Sequence, residues 1–330
     1  MLALSAVGWR DRGAEKIYTP RAKKREEDTV TVCVAAICDD DTIFGASDRK
    51  ITAGDIEFEP EAVKIDRITQ SVAVMAAGDS AIHAEILQSV HADVQDQDWL
   101  WDVKEIAELY SQYYNTLRQK GAERAFLAPF GLTMDAFIGR QGDMSPEWVK
   151  QVGYEIINYN PGNVEAIVAG VDEMGAHIWV VENEMVSCHD NEGYAAVGIG
   201  RAHAKSQFMF SGHTRRNYLP ETLLLTYTAK KRAEAAPGVG TATDMFIVGP
   251  TRGTFDYLHE GVLAKLEAIY KTVRRKEKNI VKKAEEGGEL LCRRNHEAAK
   301  NRGCESRGCK SRRCSRTGGA PRGRWGTFIL

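Results

Sequence analysis

Three short apolar runs between residues 31 and 78 constrain the fold of this 330-residue chain more than any other feature. The first two runs, TVCVAAIC and IFGAS, flank a polar turn at Asp39–Thr42. Two apolar runs of this length joined by a short polar turn are typical of a β-hairpin. The third run, Ser71–Ala77, stops abruptly at Gly78 and predicts a further strand.

Four residues of different chemistry stand at the ends or turns of these strands: Thr31, Asp48, Lys64 and Gly78. Acyl transfer needs a nucleophile, groups that tune its proton, and a backbone donor for the oxyanion, and these residues supply all three. Each residue alone has an ordinary explanation as strand packing, a solvated turn, an outward side chain or a turn glycine. The spacing is more informative, with sixteen residues from Asp48 to Lys64 and fourteen from Lys64 to Gly78.

This spacing resembles that of proteasome β-subunits and their bacterial relatives, which are N-terminal-nucleophile (Ntn) hydrolases. The opening TVCVA is most similar to the bacterial ancestral β-subunit group, often called Anbu. Members of the family have a threonine at the mature N-terminus, an acidic residue followed by arginine, a lysine, and an Ala-Gly pair. These features fall on Thr31, Asp48-Arg49, Lys64 and Ala77-Gly78.

Three later segments extend the resemblance over about residues 31–270. VEAIVAGVDEMGAHIWVV (164–181) is similar to a family hairpin with a D-E-x-G turn, AAVGIGRAHA (195–204) to the segment that opens a helix, and TDMFIV (243–248) to the last core strand. The fold that the resemblance implies is α+β, a four-layer αββα sandwich in a domain spanning residues 30–275.

Four apolar patterns at helical spacing, 79–94, 103–117, 202–210 and 219–236, predict helices. Residues 132–139 are expected to form a strand, and an amphipathic helix is expected after Phe255.

The function that the resemblance implies is that of a threonine-type peptidase acting within a self-compartmentalising homo-oligomer, a ring or a helical turn. Thr31 would be the nucleophile and its own α-amine the base, Lys64 would lower the proton affinity of the hydroxyl, Asp48 would hold Lys64, and the Gly78 amide would stabilise the oxyanion. Thr52, Ala53 and Gly54 would contact a peptide or unfolded-protein substrate. The resemblance implies no cofactor and no metal, and whether a regulatory ATPase is a partner stays open.

Several positions depart from the pattern of the family peptidases and keep an alternative open, a catalytically inert structural subunit. Ile199 stands between Gly198 and Gly200, where the peptidases have a serine. The family's Asp and Ser before the last strand fall on Ala236 and Val239, or in a shifted register on Glu234 and Pro237. In neither register is the serine present.

The segment before Thr31 decides whether the proposed base can exist. Residues 1–29 have no hydrophobic periodicity and are expected to be a disordered leader, or to be absent from a protein whose true start codon is that of Val30. An amide nitrogen cannot accept a proton, so Thr31 gains a basic α-amine only when residues 1–30 are removed or not made.

The remaining predictions concern location and the C-terminal tail. No apolar run approaches the ~18 residues of a membrane span, and an odd count of seven cysteines favours reduced thiols and a cytoplasmic location. Residues 276–330 are expected to form a disordered basic tail. A zinc knuckle there is disfavoured because four residues separate neighbouring cysteines at 304, 309 and 314, outside the usual spacing. Nucleic-acid binding by the tail is not expected to be specific.

Overall fold

The computed structural model of this chain describes residues 31–53, 56–60, 63–95 and 100–301; for 52, 53, 56, 57 and 289–301 it describes only the backbone. These residues form two compact units, one up to Tyr270 and one from Lys271, and the boundary falls within the last helix. The first unit is α+β. Its described part contains two five-stranded antiparallel sheets and a two-stranded ribbon.

The first sheet has the strand order β10–β1–β2–β11–β12 and the second has the order β5–β6–β7–β8–β9. The ribbon consists of β3 (Ile51–Ala53) and β4 (Ile56–Phe58). The strands of the first sheet are β1 (Cys33–Cys38), β2 (Thr42–Ser47), β10 (Tyr194–Val197), β11 (Asp244–Val248) and β12 (Phe255–Tyr257). Those of the second sheet are β5 (Ile65–Arg67), β6 (Val72–Gly78), β7 (Val164–Asp172), β8 (Gly175–Glu182) and β9 (Met185–Cys188).

Seven α-helices lie in the described part of the chain. They are α1 (Ser80–Val94), α2 (Val103–Ala122), α3 (Met134–Gly139), α4 (Pro146–Ile157), α5 (Arg201–Ser211), α6 (Leu219–Ala233) and α7 (Glu260–Asn301). Asp79 caps α1 by accepting hydrogen bonds from the amides of Ala81 and Ile82. That cap satisfies two of the four amides left unpaired at a helix start and explains why the strand β6 is followed at once by a helix.

The hairpin at the start of the described chain is buried on both faces. Strands β1 and β2 pair from Cys33–Ser47 to Cys38–Thr42, and every residue of both strands is buried. Asp39 and Asp40 turn the chain with positive φ angles of 50° and 64°, a conformation that aspartate tolerates better than most residues. A strand buried on both faces reads as a continuous apolar run, which accounts for TVCVAAIC.

The packing of the two sheets explains that burial. One apolar cluster draws residues from both five-stranded sheets, among them Ile37 of β1, Met75 of β6 and Phe246 of β11. A second cluster joins β6 and β7 to α1 and α2. A third joins β1 and β10 to α5 and α6, and a fourth joins β2 and β11 to α6 and to Leu266 at the start of α7. Each sheet therefore has apolar neighbours on both faces.

Most of the predicted elements are confirmed. The hairpin, the strand after Ser71, the strands of residues 164–181 and 245–248, and the helices expected near 79–94, 103–117, 202–210 and 219–236 are all present. No helix among the described residues is long and apolar enough to cross a membrane.

Two expectations are wrong. Residues 132–139 were expected to form a strand, but Met134–Gly139 is a short helix, because the Thr133 hydroxyl caps it by accepting a bond from the Ala136 amide. The basic tail was expected to be disordered from residue 276, but residues 276–301 continue α7, and the expectation for 302–330 lies outside the described residues. That extension is rich in lysine and glutamate, which are good helix formers. The expectations for residues 1–29 and for the cysteines after 301 lie outside the described residues.

Candidate active site

Thr31 lies two residues before β1, an inner strand of the first sheet, and its side chain is buried. Only 2% of its surface is exposed. Its carbonyl accepts a hydrogen bond from the Gly200 amide at 3.3 Å. Gly198 also lies against this carbonyl, because a Cβ on residue 198 would come within 2.4 Å of the oxygen. The φ of Gly198 is +85°, a region that residues with side chains avoid. The turn from β10 into α5 therefore fixes the position of the Thr31 carbonyl.

Asp48 follows β2 and is fully buried beside Thr31. Its Oδ1 accepts hydrogen bonds from the Thr31 hydroxyl and from the Val32 amide at 3.1 Å. Its Oδ2 accepts from the Gly240 amide at 2.7 Å and the Lys50 amide at 3.2 Å. Three backbone amides thus compensate the burial of the carboxylate, as a buried charge requires.

Lys64, which precedes β5, completes what we call the Thr31 cluster: Thr31, Asp48 and Lys64. Its ammonium donates to the Thr31 Oγ1 at 2.5 Å, to Asp48 Oδ1 at 3.2 Å, and to the carbonyl of Lys50. The hydroxyl of Thr31 is therefore held between a cation that donates to it and a carboxylate that accepts from it. A positive charge at this distance favours the deprotonated form of a hydroxyl. The structure brings together three of the four predicted catalytic residues.

Gly78, the fourth, ends β6 and pairs with Val164. A link between β6 and the start of β1 is given by Cys33, whose thiol donates to the Ala76 carbonyl at 3.5 Å. Gly78 has a φ of +115°, and a Cβ there would lie 2.0 Å from the carbonyl oxygen of Asn163. The close approach of β7 is thus a sufficient structural reason for glycine at this position, and the oxyanion role stays a prediction.

Two of the three predicted substrate residues lie on the ribbon. Thr52 and Ala53 belong to β3 and pair with Glu57 and Ile56 of β4, while Gly54 lies outside the described residues. A cavity of about 290 Å³ lies between the end of the ribbon and residues 239–241. Its lining consists of Lys50, Phe58, Glu59, Val239, Gly240 and Thr241.

Sequence analysis missed two supports of the cluster. Glu165 accepts a hydrogen bond from the Gly198 amide at 2.8 Å and from the guanidinium of Arg201, and so fixes the turn around Thr31. Gly240 was missed because it lies 192 positions from Asp48 and its amide, not a side chain, makes the contact. Ile199, the substituted position, packs against the apolar cluster of β1, α5 and α6.

Cys33 is the other group near Thr31 with nucleophilic chemistry. Burial raises the pKa of its thiol to about 12, although the Lys64 charge opposes the shift. A thiol with this pKa is protonated at neutral pH and is a poor nucleophile. Cys33 is therefore a packing residue of the sheet.

A second, partly buried ionic group, which we call the His177 cluster, consists of His177, Asp172 and Asp190. His177 contacts Asp190 Oδ2 through Nδ1 at 2.6 Å and Asp172 Oδ1 through Nε2 at 3.2 Å. The hydrogen bonds to Asp172 and Asp190 raise the pKa of His177 to about 9. Burial would raise the pKa of both carboxyls, but the bond from His177 and backbone amides outweigh it and lower the pKa.

No protein-family model and no curated protein matches this sequence. Among the described residues, no group of three or more His, Cys, Asp or Glu side chains is arranged to hold a metal ion. The candidate site therefore rests on the Thr31 cluster and its backbone supports.

Proposed function

We propose that this chain is a threonine-type peptidase of the proteasome β-subunit class, with Thr31 as an N-terminal nucleophile. The observation that carries the proposal is the 2.5 Å contact between the Lys64 ammonium and the Thr31 Oγ1, made while the same hydroxyl donates to buried Asp48. A cation and a carboxylate from separate segments of the chain both contact the hydroxyl oxygen of Thr31. Packing alone gives no reason for that convergence.

The layering of the fold supports the same proposal. An apolar cluster shared by the two sheets, with helices against their other faces, is what a four-layer αββα Ntn sandwich requires. In that architecture the candidate nucleophile sits at the end of a central strand, next to the turn that carries Gly198 and Gly200.

The reaction follows from these positions once Thr31 has a free α-amine. The Thr31 oxygen attacks the peptide carbonyl carbon while the α-amine takes the hydroxyl proton, directly or through water. The Gly78 amide donates to the oxyanion, a contribution of about 3–4 kcal/mol for such donors. The carbon–nitrogen bond then breaks, and the leaving amine receives the proton from the α-ammonium. Water hydrolyses the resulting ester by the same path, with its proton passing to the amine and then to the Thr31 oxygen.

Lys64 and Asp48 have separate parts in this scheme. The Lys64 charge stabilises the developing alkoxide of Thr31, and Asp48 positions both Lys64 and the hydroxyl. We place the site within a homo-oligomer, a ring or a helical turn in the cytoplasm, which would restrict access to peptides and unfolded chains. Thr52, Ala53 and Gly54 would contact those substrates by adding the peptide as a strand beside the ribbon.

A second candidate function, that of an inert structural subunit, is favoured by one observation. In the chain as it stands Thr31 is bonded to Val30, and only 2% of its surface is exposed. An amide nitrogen cannot act as the base, and a buried hydroxyl cannot meet a substrate. The two candidates therefore differ in whether a form that begins at Thr31 exists.

The test is to measure the intact mass of the protein purified from its native host and then its reaction with covalent probes. The peptidase proposal expects a mass that corresponds to a chain starting at Thr31. A β-lactone should then acylate the Thr31 oxygen, and an epoxyketone should form a ring with both the hydroxyl and the α-amine. Thr31→Ala and Lys64→Ala should abolish labelling, whereas the control Cys33→Ala should label like the parent. A native protein that retains residues 1–30, or that starts at Thr31 and takes no label, would establish the structural subunit.

A further inference from the structure

Lys230 is a buried lysine that the proposed reaction does not use. It lies in the last turn of α6, and none of its side-chain surface is exposed. Burial lowers the pKa of its ammonium, and the bond to Glu234 opposes that shift. Burying a lysine is costly unless hydrogen bonds and an opposite charge compensate it. The partners of Lys230 therefore deserve an explanation.

Those partners are mainly the main chain of one short segment, residues 240–242. The ammonium donates to the carbonyls of Gly240 at 3.0 Å, Thr241 at 3.3 Å and Ala242 at 2.7 Å. It also donates to Glu234 Oε1 at 2.8 Å. Three consecutive carbonyls that converge on one point repel one another unless a cation lies between them. The lysine thus takes the place that a bound cation would have, with its charge carried on α6.

The same segment turns its amides the other way, toward the candidate active site. The Gly240 amide donates to Asp48 Oδ2 at 2.7 Å, and the Thr241 amide donates to Glu59 on the rim of the cavity. Asp48 in turn accepts from the Thr31 hydroxyl. The main chain of Gly240 therefore connects Lys230 to Asp48 and Thr31, because its carbonyl accepts from Lys230 and its amide donates to Asp48.

We propose that Lys230 is a positioning residue of the active site, whose ammonium gathers the carbonyls of residues 240–242 so that the Gly240 amide is aimed at Asp48. The catalytic consequence of this proposal rests on the proposed function. The placement of the Gly240 amide by Lys230 is independent of that function. Lys230 does not touch substrate and acts only through Asp48.

Lys231 is the matched control on the same helix. It contacts the same oxygen of Glu234, at 2.7 Å, and lies 3.9 Å from Glu267. Lys230→Met and Lys231→Met both remove one ammonium next to Glu234 and keep the length of the apolar stem of the side chain. The carbonyl contacts to residues 240–242 are those of Lys230, so only Lys230→Met should release the segment.

The first measurement is amide hydrogen exchange on the full chain, which needs no activity. Exchange at Gly240 should be about tenfold faster or more in Lys230→Met and within about twofold of the parent in Lys231→Met. The amides of Val34 and Val168, in the centres of the two sheets, report global opening. Unchanged exchange at those amides separates release of the segment from loss of stability. Equal exchange at Gly240 in the parent and Lys230→Met would overturn the proposal.

The second measurement is the rate of β-lactone labelling of the form that begins at Thr31. Labelling should be about tenfold slower or more in Lys230→Met, as is common for a residue that orients a reacting group through another, and unchanged in Lys231→Met. In Lys230→Ala, added ammonium chloride should restore part of the rate, while sodium chloride at the same ionic strength should not. Equal slowing in both Met variants would contradict a specific role.

The two measurements separate this proposal from the proposed function. If the parent takes no label yet exchange at Gly240 is selectively accelerated, the peptidase proposal fails and the placement of the segment by Lys230 stands. If the parent labels and Lys230→Met changes neither readout, the peptidase proposal stands and this one fails. Should Lys230→Met not fold, Glu234→Gln keeps the ammonium but removes its carboxylate, and a selective acceleration of about threefold at Gly240 is then expected; unchanged exchange would overturn the proposal.

Discussion

The Thr31 cluster and the His177 cluster are built from similar groups and differ in how those groups are satisfied. Each contains a cationic side chain and at least one buried carboxylate. In the His177 cluster the partners lie on one sheet, in the turns next to its strands and at the start of α2: Asp190 accepts from Ile178, and Asp172 accepts from Met174 and Val103. His177 lies between two carboxylates, which more than compensate its positive charge.

In the Thr31 cluster the carboxylate is satisfied largely by backbone amides, and the cation points at a neutral hydroxyl. The amides of Val32, Lys50 and Gly240 bind Asp48, and Lys64 donates to Thr31. A buried ammonium needs acceptors for its remaining protons, and a hydroxyl is one of them, but this hydroxyl also donates to the carboxylate that pairs with the same ammonium. The comparison teaches that a hydroxyl held between a cation and a carboxylate, more than the presence of charges, distinguishes a candidate reactive site.

Removing the charge of Asp48 is expected to have the largest effect. In Asp48→Asn one oxygen becomes an NH₂ group that faces backbone amide donors, and Lys64 loses its counter-charge. Asp48 is fully buried and the Lys64 side chain is only 16% exposed, so breaking this pair should cost about 3 kcal/mol of unfolding free energy, the lower end of the range for buried pairs. Asp190→Asn keeps an acceptor for Ile178 and leaves His177 its bond to Asp172, so about 1–2 kcal/mol is expected. Urea unfolding of both variants measures the difference, and a larger loss for Asp190→Asn would reverse the comparison.

Adding a methyl group at Gly198 is expected to have the next largest effect. Gly198→Ala combines a positive φ of 85° with a Cβ that would lie 2.4 Å from the Thr31 carbonyl oxygen. Strain and overpacking together should cost about 3 kcal/mol, and β-lactone labelling of the form that begins at Thr31 should fall at least tenfold. Gly212 is the control, because it has a φ of +64° but nothing within 4 Å of its Cβ.

Gly212→Ala should therefore cost only the backbone strain, about 1 kcal/mol, and leave labelling unchanged. Thermal unfolding and the labelling rate are measured for both variants. If labelling falls equally in the two, the turn at Gly198 has no special relation to Thr31.

The pH dependence of stability should sharpen the description of the His177 cluster and is the smallest of these effects. The folded pKa of His177 is about 9, above the ~6.5 of an unfolded histidine. Its contribution is therefore fully present below pH 6.5 and is lost as the pH rises toward 9. The difference corresponds to at most about 3 kcal/mol, and about 2 is expected because the side chain is 20% exposed.

Urea unfolding at pH 6.5 and at pH 9 measures this loss in the parent and in His177→Gln. The glutamine variant should be less stable at pH 6.5 and should lose less stability between the two pH values. The lowered pKa of Asp172 and Asp190 has the opposite sign, so their contribution is present above about pH 4 and is lost as the pH falls further. An identical pH dependence in parent and variant would show that His177 is not the titrating group.

The predictions from sequence succeeded where local pattern decides structure. TVCVAAIC is a strand because its continuous apolar run can be buried only between two layers, and the patterns of α1, α2, α5 and α6 fix their buried faces. The prediction failed at Leu132–Gly139, where a strand-like composition is overruled by the cap of Thr133 and by the burial of Phe137 with α4. In a segment this short, tertiary contacts outweigh propensity.

The candidate site likewise has one part that the sequence predicts and another that only tertiary contacts create. By itself, the sequence determined the side chains of the cluster, because Thr31, Asp48 and Lys64 lie within 34 residues of one another at strand ends that the hydrophobic pattern marks. Only the tertiary structure decided what holds them: the amide of Gly240, the turn at Gly198 and the ammonium of Lys230 come from segments more than 130 residues away. The physical reason is that these supports act through the main chain. Every residue has an amide and a carbonyl, so sequence carries no mark of which ones will converge until the sheets and helices pack and bring them together.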